Sequence, residues 1–145
     1  MFRVKKIFRI PMGHRLMKHD GLCKNIHGHN MKIEVQVSCH GLDNNDMVMD
    51  FAVLQNIIDA NTRVYDHCTM LNSADTDMVK FFANCGRVNT FENADPTAEM
   101  LAMRFYGYFN EAVKKVNQYL NIDFVAIWES DDSVAIYDGC EKDVK

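Results

Sequence analysis

Met31-Lys32-Ile33-Glu34-Val35-Gln36-Val37-Ser38-Cys39 alternates apolar and polar residues without a break. Successive side chains of a strand point to opposite faces, so this stretch is a strand with one buried and one solvated face. His27 and His29 share the parity of the buried residues. Continued strand geometry would set both imidazoles side by side at the mouth of that face. A second segment, about Arg3 to Met12, reads as a strand leading to His14, with a turn-rich link through His19-Asp20-Gly21 between the two.

Further along, Asp50 is placed to cap a helix carrying Phe51, Leu54, Ile57 and Ile58 on one side and ending before Asp66. Asp95-Pro96 predicts a second helix, with aspartate as N-cap and proline at the first helical position. Leu101, Phe105, Tyr108, Phe109, Ala112, Val113, Val116 and Leu120 then recur at helical spacing. Ile122 to Glu129 and Ser133 to Asp138 read as two strands joined by the acidic turn Ser130-Asp131-Asp132. Between Asn72 and Ala94 the pattern is weak, with a short helix over Met78 to Cys85 inside a long loop. The expected architecture is α+β: a four-stranded antiparallel sheet with two helices on one face. Uncovered edges of such a sheet invite partners, and association into a closed barrel would remove them.

The 145 residues suit one domain with a real core; 48% are hydrophobic and 25% charged. A net charge of −4, with no basic stripe, argues against nucleic acid as partner. The N-terminus lacks the apolar run of a signal peptide, and no stretch approaches a membrane span. Five cysteines without a regular framework predict reduced thiols and a cytoplasmic location.

Three histidines leave a catalytic zinc with an open coordination position, which makes His14, His27 and His29 a candidate metal set. Zinc is the default for three imidazoles, although copper, nickel and iron also accept them. Each histidine alone is more readily explained by a local hydrogen bond or simple exposure, and it is the set that points to a metal. Cys23, four residues before His27, is a better candidate for a reactive thiolate than Cys39, Cys68, Cys85 or Cys140, whose default is burial. His19 and His40 have no partner pattern. Asp66 can orient or charge His67 for proton transfer, or the two can simply close a helix. Glu129 has the parity of Val125 and Ile127, and a carboxylate there needs a substrate N–H or a structural salt bridge.

Gly21-x5-His27-x-His29-x4-Glu34-x6-Gly41 is similar to the first cupin motif. The match is rejected. No second motif follows, the segment after Pro96 is helical, and Glu34 has the opposite parity to His29.

A second resemblance covers nearly the whole chain. Cys23-x3-His27-Gly28-His29-Asn30, preceded by His14-Arg15-Leu16, resembles the family of 6-pyruvoyltetrahydropterin and 6-carboxytetrahydropterin synthases. Met47-Val48-Met49-Asp50-Phe51, Asp66-His67 with Leu71-Asn72, Pro96-Thr97-Ala98-Glu99 and Trp128-Glu129-Ser130 follow in the family's order. The resemblance implies the tunnelling fold, with subunits forming a barrel as trimers that pair into hexamers. The three-residue interval after Cys23 is similar to the bacterial 6-carboxytetrahydropterin synthases of the queuosine pathway; animal pyruvoyl enzymes have a longer one. By resemblance the substrate is 7,8-dihydroneopterin triphosphate, and the products are 6-carboxy-5,6,7,8-tetrahydropterin, acetaldehyde and triphosphate. His14, His27 and His29 would hold Zn2+, and Cys23 would be the general base. Asp66 and His67 would relay the proton, Glu129 would anchor the pterin, and Thr97 and Glu99 would frame its pocket. Pro11-Met12-Gly13, Ser130 and the long Ala74 to Asp95 segment depart from the usual pattern and bear on substrate choice. The competing expectations are 6-pyruvoyltetrahydropterin synthase chemistry and a non-catalytic module stapled by the three histidines.

Overall fold

The computed structural model describes residues 1–140. Strand β1 (Phe2–His14) pairs antiparallel with β2 (His27–Cys39) along its full length, from Phe2 opposite Cys39 to His14 opposite His27. The predicted alternation holds: Met31, Ile33, Val35, Val37 and Cys39 are all buried. On the other side of β2 lies β5 (Asn121–Trp128), followed by the edge strand β6 (Val134–Tyr137). This antiparallel four-strand unit is the one expected from the sequence.

The sheet is larger than expected. Strands β3 (Thr69–Asn72) and β4 (Val88–Phe91) extend it to six, in the order β4-β3-β1-β2-β5-β6. Both are parallel additions: β3 joins β1 only at Gly13 and His14, and β4 joins β3. The sheet is therefore mixed, and the supposed long loop is a β-α-β excursion. Four-residue strands are too short for alternation to announce them.

Helix α1 (Phe51–Thr62) starts at Asp50, whose carboxylate accepts the Ala52 N–H; Leu54 and Ile58 are buried, while Phe51 is exposed. Helix α2 (Thr76–Ala83) is the third, and it buries none of its residues. Helix α3 (Ala98–Val116) buries Leu101, Phe105, Phe109 and Val113 against the apolar sheet face. Its N-cap is Thr97, whose hydroxyl accepts the Met100 N–H at 3.3 Å, rather than Asp95. Pro96 consequently lies outside the helix. Asp95 is withdrawn from capping because both carboxylate oxygens are engaged elsewhere. Leu120 is buried from the turn after α3. Cys39 and Cys68 are buried, whereas Cys85 and Cys140 are exposed, contrary to the default for small thiols. No helix among the described residues is long and apolar enough to cross a membrane.

Candidate metal centre

The β1–β2 pairing sets His14 directly opposite His27, and the even spacing within β2 puts His29 on the same face. Their ring centroids are 4.5 to 5.2 Å apart, and one ligand nitrogen from each lies within 4.8 Å of the others. His14 is buried; His27 and His29 are half-buried.

Two backbone carbonyls determine what these rings offer. His14 Nδ1 is 2.9 Å from the Pro96 carbonyl, and His27 Nδ1 is 2.9 Å from the Asn25 carbonyl. A carbonyl only accepts, so each Nδ1 carries the proton and each neutral ring keeps a lone pair on Nε2. Those two Nε2 atoms face each other at 3.0 Å. The third, His29 Nε2, is buried with no hydrogen-bond partner. Burial pushes the His14 pKa below its ordinary value, despite the opposing influence of the Pro96 carbonyl and the Glu129 carboxylate. Two facing lone pairs and a buried ring nitrogen without a partner are unfavourable unless a cation sits among them. A tetrahedral metal with bonds of about 2.0 Å needs ligand nitrogens roughly 3.3 Å apart, close to the observed pair. The donor set fits a metal ion.

Glu129 follows β5 directly, not as its last residue, and its carboxylate lies 3.8 Å from His14 Nε2. It also lines a recess of about 140 Å³ with Glu99 and Ala98 at the start of α3. The structure thus brings Glu129 to the histidines, and Glu99 to Glu129. Thr97 is adjacent, with its hydroxyl committed to the helix cap.

Cys23 is half-buried in a single 3-10 turn (Leu22–Lys24) and is not part of the histidine cluster. Two hydrogen bonds hold this turn against the end of β1: Leu16 N–H to the Cys23 carbonyl at 3.0 Å, and Arg15 Nε to the Lys24 carbonyl at 2.7 Å. Asp66 and His67 do form a pair, at 2.8 Å, but both side chains are largely exposed. Asp66 borders a separate recess between β1 and α1, lined by Arg9, Gln55 and Asp59. Within the chain this pair is not joined to the histidines. Glu34 pairs with Lys5 and Lys32 on the opposite face of the sheet, as its parity requires, which removes the cupin arrangement.

The carbonyls of Pro96 and Asn25 are the functional groups that sequence inspection missed. Asn25 is two residues from the ring it fixes, but nothing in a side-chain pattern marks a carbonyl 82 positions from His14.

A model of the 6-pyruvoyl tetrahydropterin synthase family matches residues 3–140. The chain is similar to 6-carboxy-5,6,7,8-tetrahydropterin synthases of Haemophilus influenzae (30% identical, covering 94% of this chain and 99% of the relative) and Aquifex aeolicus (27%, covering 94% and 97%). That of Rickettsia typhi is 32% identical over 71% of this chain and 76% of its own. Among solved structures, an uncharacterized protein from Wolinella succinogenes superimposes with a TM-score of 0.78 at 17% identity, covering 96% of this chain and 98% of that one. The 6-pyruvoyl tetrahydropterin synthase of Plasmodium vivax does so with a TM-score of 0.68 at 11% identity, covering 94% and 98%.

Proposed function

Because the chain belongs to the 6-pyruvoyl tetrahydropterin synthase family, we propose that it is a zinc-dependent lyase acting on 7,8-dihydroneopterin triphosphate. Its products are 6-carboxy-5,6,7,8-tetrahydropterin, acetaldehyde and triphosphate, as a step of queuosine biosynthesis in the cytoplasm. Residues 1–145 act as one pterin synthase domain in a homo-oligomer, a trimer or hexamer. The observation that carries the metal chemistry is the pair of Nε2 lone pairs of His14 and His27, fixed by Pro96 and Asn25 and facing each other at 3.0 Å. The names of the curated relatives favour the carboxy product.

His14, His27 and His29 hold the ion through Nε2. When bound, Zn2+ supplies Lewis acidity to the side-chain hydroxyls of the substrate and lowers the pKa of neighbouring protons. Cys23, as thiolate, takes a proton from that side chain. Glu129 accepts the pterin ring N–H and amino group in charge-assisted hydrogen bonds, with Glu99 lining the same recess and Thr97 framing the pocket as the cap of the helix that presents Glu99. Asp66 orients His67, which passes the proton, and their exposed position suits a pair offered to the site of a neighbouring subunit.

The test is mass spectrometry of the products after incubation of the zinc-loaded protein with 7,8-dihydroneopterin triphosphate. A 6-carboxytetrahydropterin with acetaldehyde is expected. A 6-pyruvoyl product would keep the site and move the chain to the other branch of the family. No turnover by folded, zinc-bound protein would mean another substrate or a site that only looks catalytic.

A further inference from the structure

Asn72 and Asp95 form a buried pair that lies outside both the histidine cluster and the pterin recess. Asn72 ends β3 and is fully buried; Asp95 is 9% exposed. Asn72 Nδ2 donates to Asp95 Oδ1 at 2.8 Å, and Asn72 Oδ1 accepts the Ala74 N–H at 2.9 Å. Asp95 Oδ2 accepts the Lys18 N–H at 2.8 Å, from the loop after β1. The Asp95 carbonyl in turn accepts the Thr97 N–H at 2.9 Å. Each side-chain oxygen and nitrogen of the pair therefore has a partner, and the amide orientation of Asn72 is forced by them.

The next residue is Pro96. Its φ is confined by the ring, and its neighbours on both sides are tied down, so the direction of its carbonyl is set by this network. That carbonyl holds the His14 Nδ1 proton. We propose that Asn72 and Asp95 are positioning residues that fix the His14 tautomer and ring orientation for metal binding, acting through the Pro96 carbonyl. The proposal rests on the reading of the three histidines as a metal centre. Without the pair, the Asp95–Thr97 link is free to turn, the Nδ1 proton loses its acceptor, and the ring gains the Nε2–H form, which leaves no lone pair on the nitrogen that faces His27. Groups that orient a metal-bound imidazole are worth tenfold to hundredfold in affinity.

The wiring permits an exchange test. Asp95→Asn offers one acceptor atom where two separate donors need two, and Asn72→Asp sets two carboxylates against each other. The double exchange satisfies everything again: the amide at 95 donates to the carboxylate at 72 and accepts the Lys18 N–H, while the carboxylate at 72 still accepts the Ala74 N–H. Zn2+ affinity is measured by competition with a chromophoric chelator, and the His14 tautomer by imidazole 15N resonances of the metal-free proteins. Each single variant is expected to lose about tenfold to hundredfold in affinity and to show Nε2–H signal at His14, with the double exchange restoring both. Asp95→Asn is the milder change, and its melting temperature separates loss of fold from loss of orientation. A folded Asp95→Asn variant with unchanged tautomer and affinity would overturn the proposal, as would a folded double exchange that restores neither. If the parent protein bound no Zn2+, the metal reading would fall, and the tautomer signals alone would decide whether the pair orients His14.

Discussion

The Nε2 atoms of His14 and His27 face each other at 3.0 Å with both ring protons committed to backbone carbonyls on the far side. Neither atom can donate to the other while both rings are neutral, so their approach is favourable only around a cation. Yet the apolar core runs from Ile10 through Ile127 without using that cation as a support. Chelation is therefore expected to leave a cooperatively folded protein. Zinc at a hundredfold excess over its Kd should add about 2.7 kcal/mol to unfolding free energy. Calorimetry with and without chelator checks this; unfolding on chelation would make the site structural.

Gly28 and Gly13 face each other across β1 and β2 but differ in the space around them. A Cβ on Gly28 would meet the Met12 carbonyl oxygen at 2.5 Å, whereas one on Gly13 has its nearest neighbour at 3.5 Å. Gly28→Ala should force apart the strands that align His14 with His27 and His29, costing about 1–3 kcal/mol and weakening zinc binding. Gly13→Ala should change neither. Urea titrations of the two variants make the comparison.

Cys23 lies outside the histidine cluster, so Cys23→Ala should retain full zinc content. Loss of a general base should lower turnover roughly a hundredfold to ten-thousandfold. Metal analysis beside a single-turnover assay separates the two effects, and unchanged turnover would remove Cys23 from the reaction.

Asp123 joins three strands through Ser38, Gln36 and Arg3. Burial alone would raise its pKa, but these hydrogen bonds and the Arg3 charge outweigh it and hold the carboxyl below its ordinary 3.8. In acid the unfolded chain thus takes up this proton before the folded one. The stabilisation is complete above pH 3.8 and is lost as pH falls through the lower, folded value. Asp123→Asn should destabilise the protein near neutrality and match the parent at the acid limit. Urea midpoints across pH 2 to 7 test the convergence.

The sheet's centre was legible because β2 is long, two-faced and strictly alternating; the same parity carried His27, His29 and the rejection of Glu34. Strands β3 and β4 were not, since four residues each and parallel edge pairing leave no periodic trace. The start of α3 was misplaced by one cap: Asp95-Pro96 has the composition of a helix start, but Asn72 and Lys18 claim the carboxylate and Thr97 takes over. Local sequence cannot register such long-range competition. The histidine cluster was visible as side chains, while the carbonyls that fix its protons were invisible for the reason that any residue type supplies one.

The two ends of the His14 ring are served by parts of the chain made at different times. Its Nε2 partner is 13 residues away, across a hairpin whose closure is local and cheap. Its Nδ1 partner is 82 residues away and arrives only after α1, β3, α2 and β4 are in place. On an elongating chain, then, three imidazoles can gather long before the residue that settles the proton of one of them has left the ribosome. The centre is collected early and its last proton is placed late, so the readiness of His14 to act as a ligand is a property of the finished protein rather than of the hairpin that first brings the rings together.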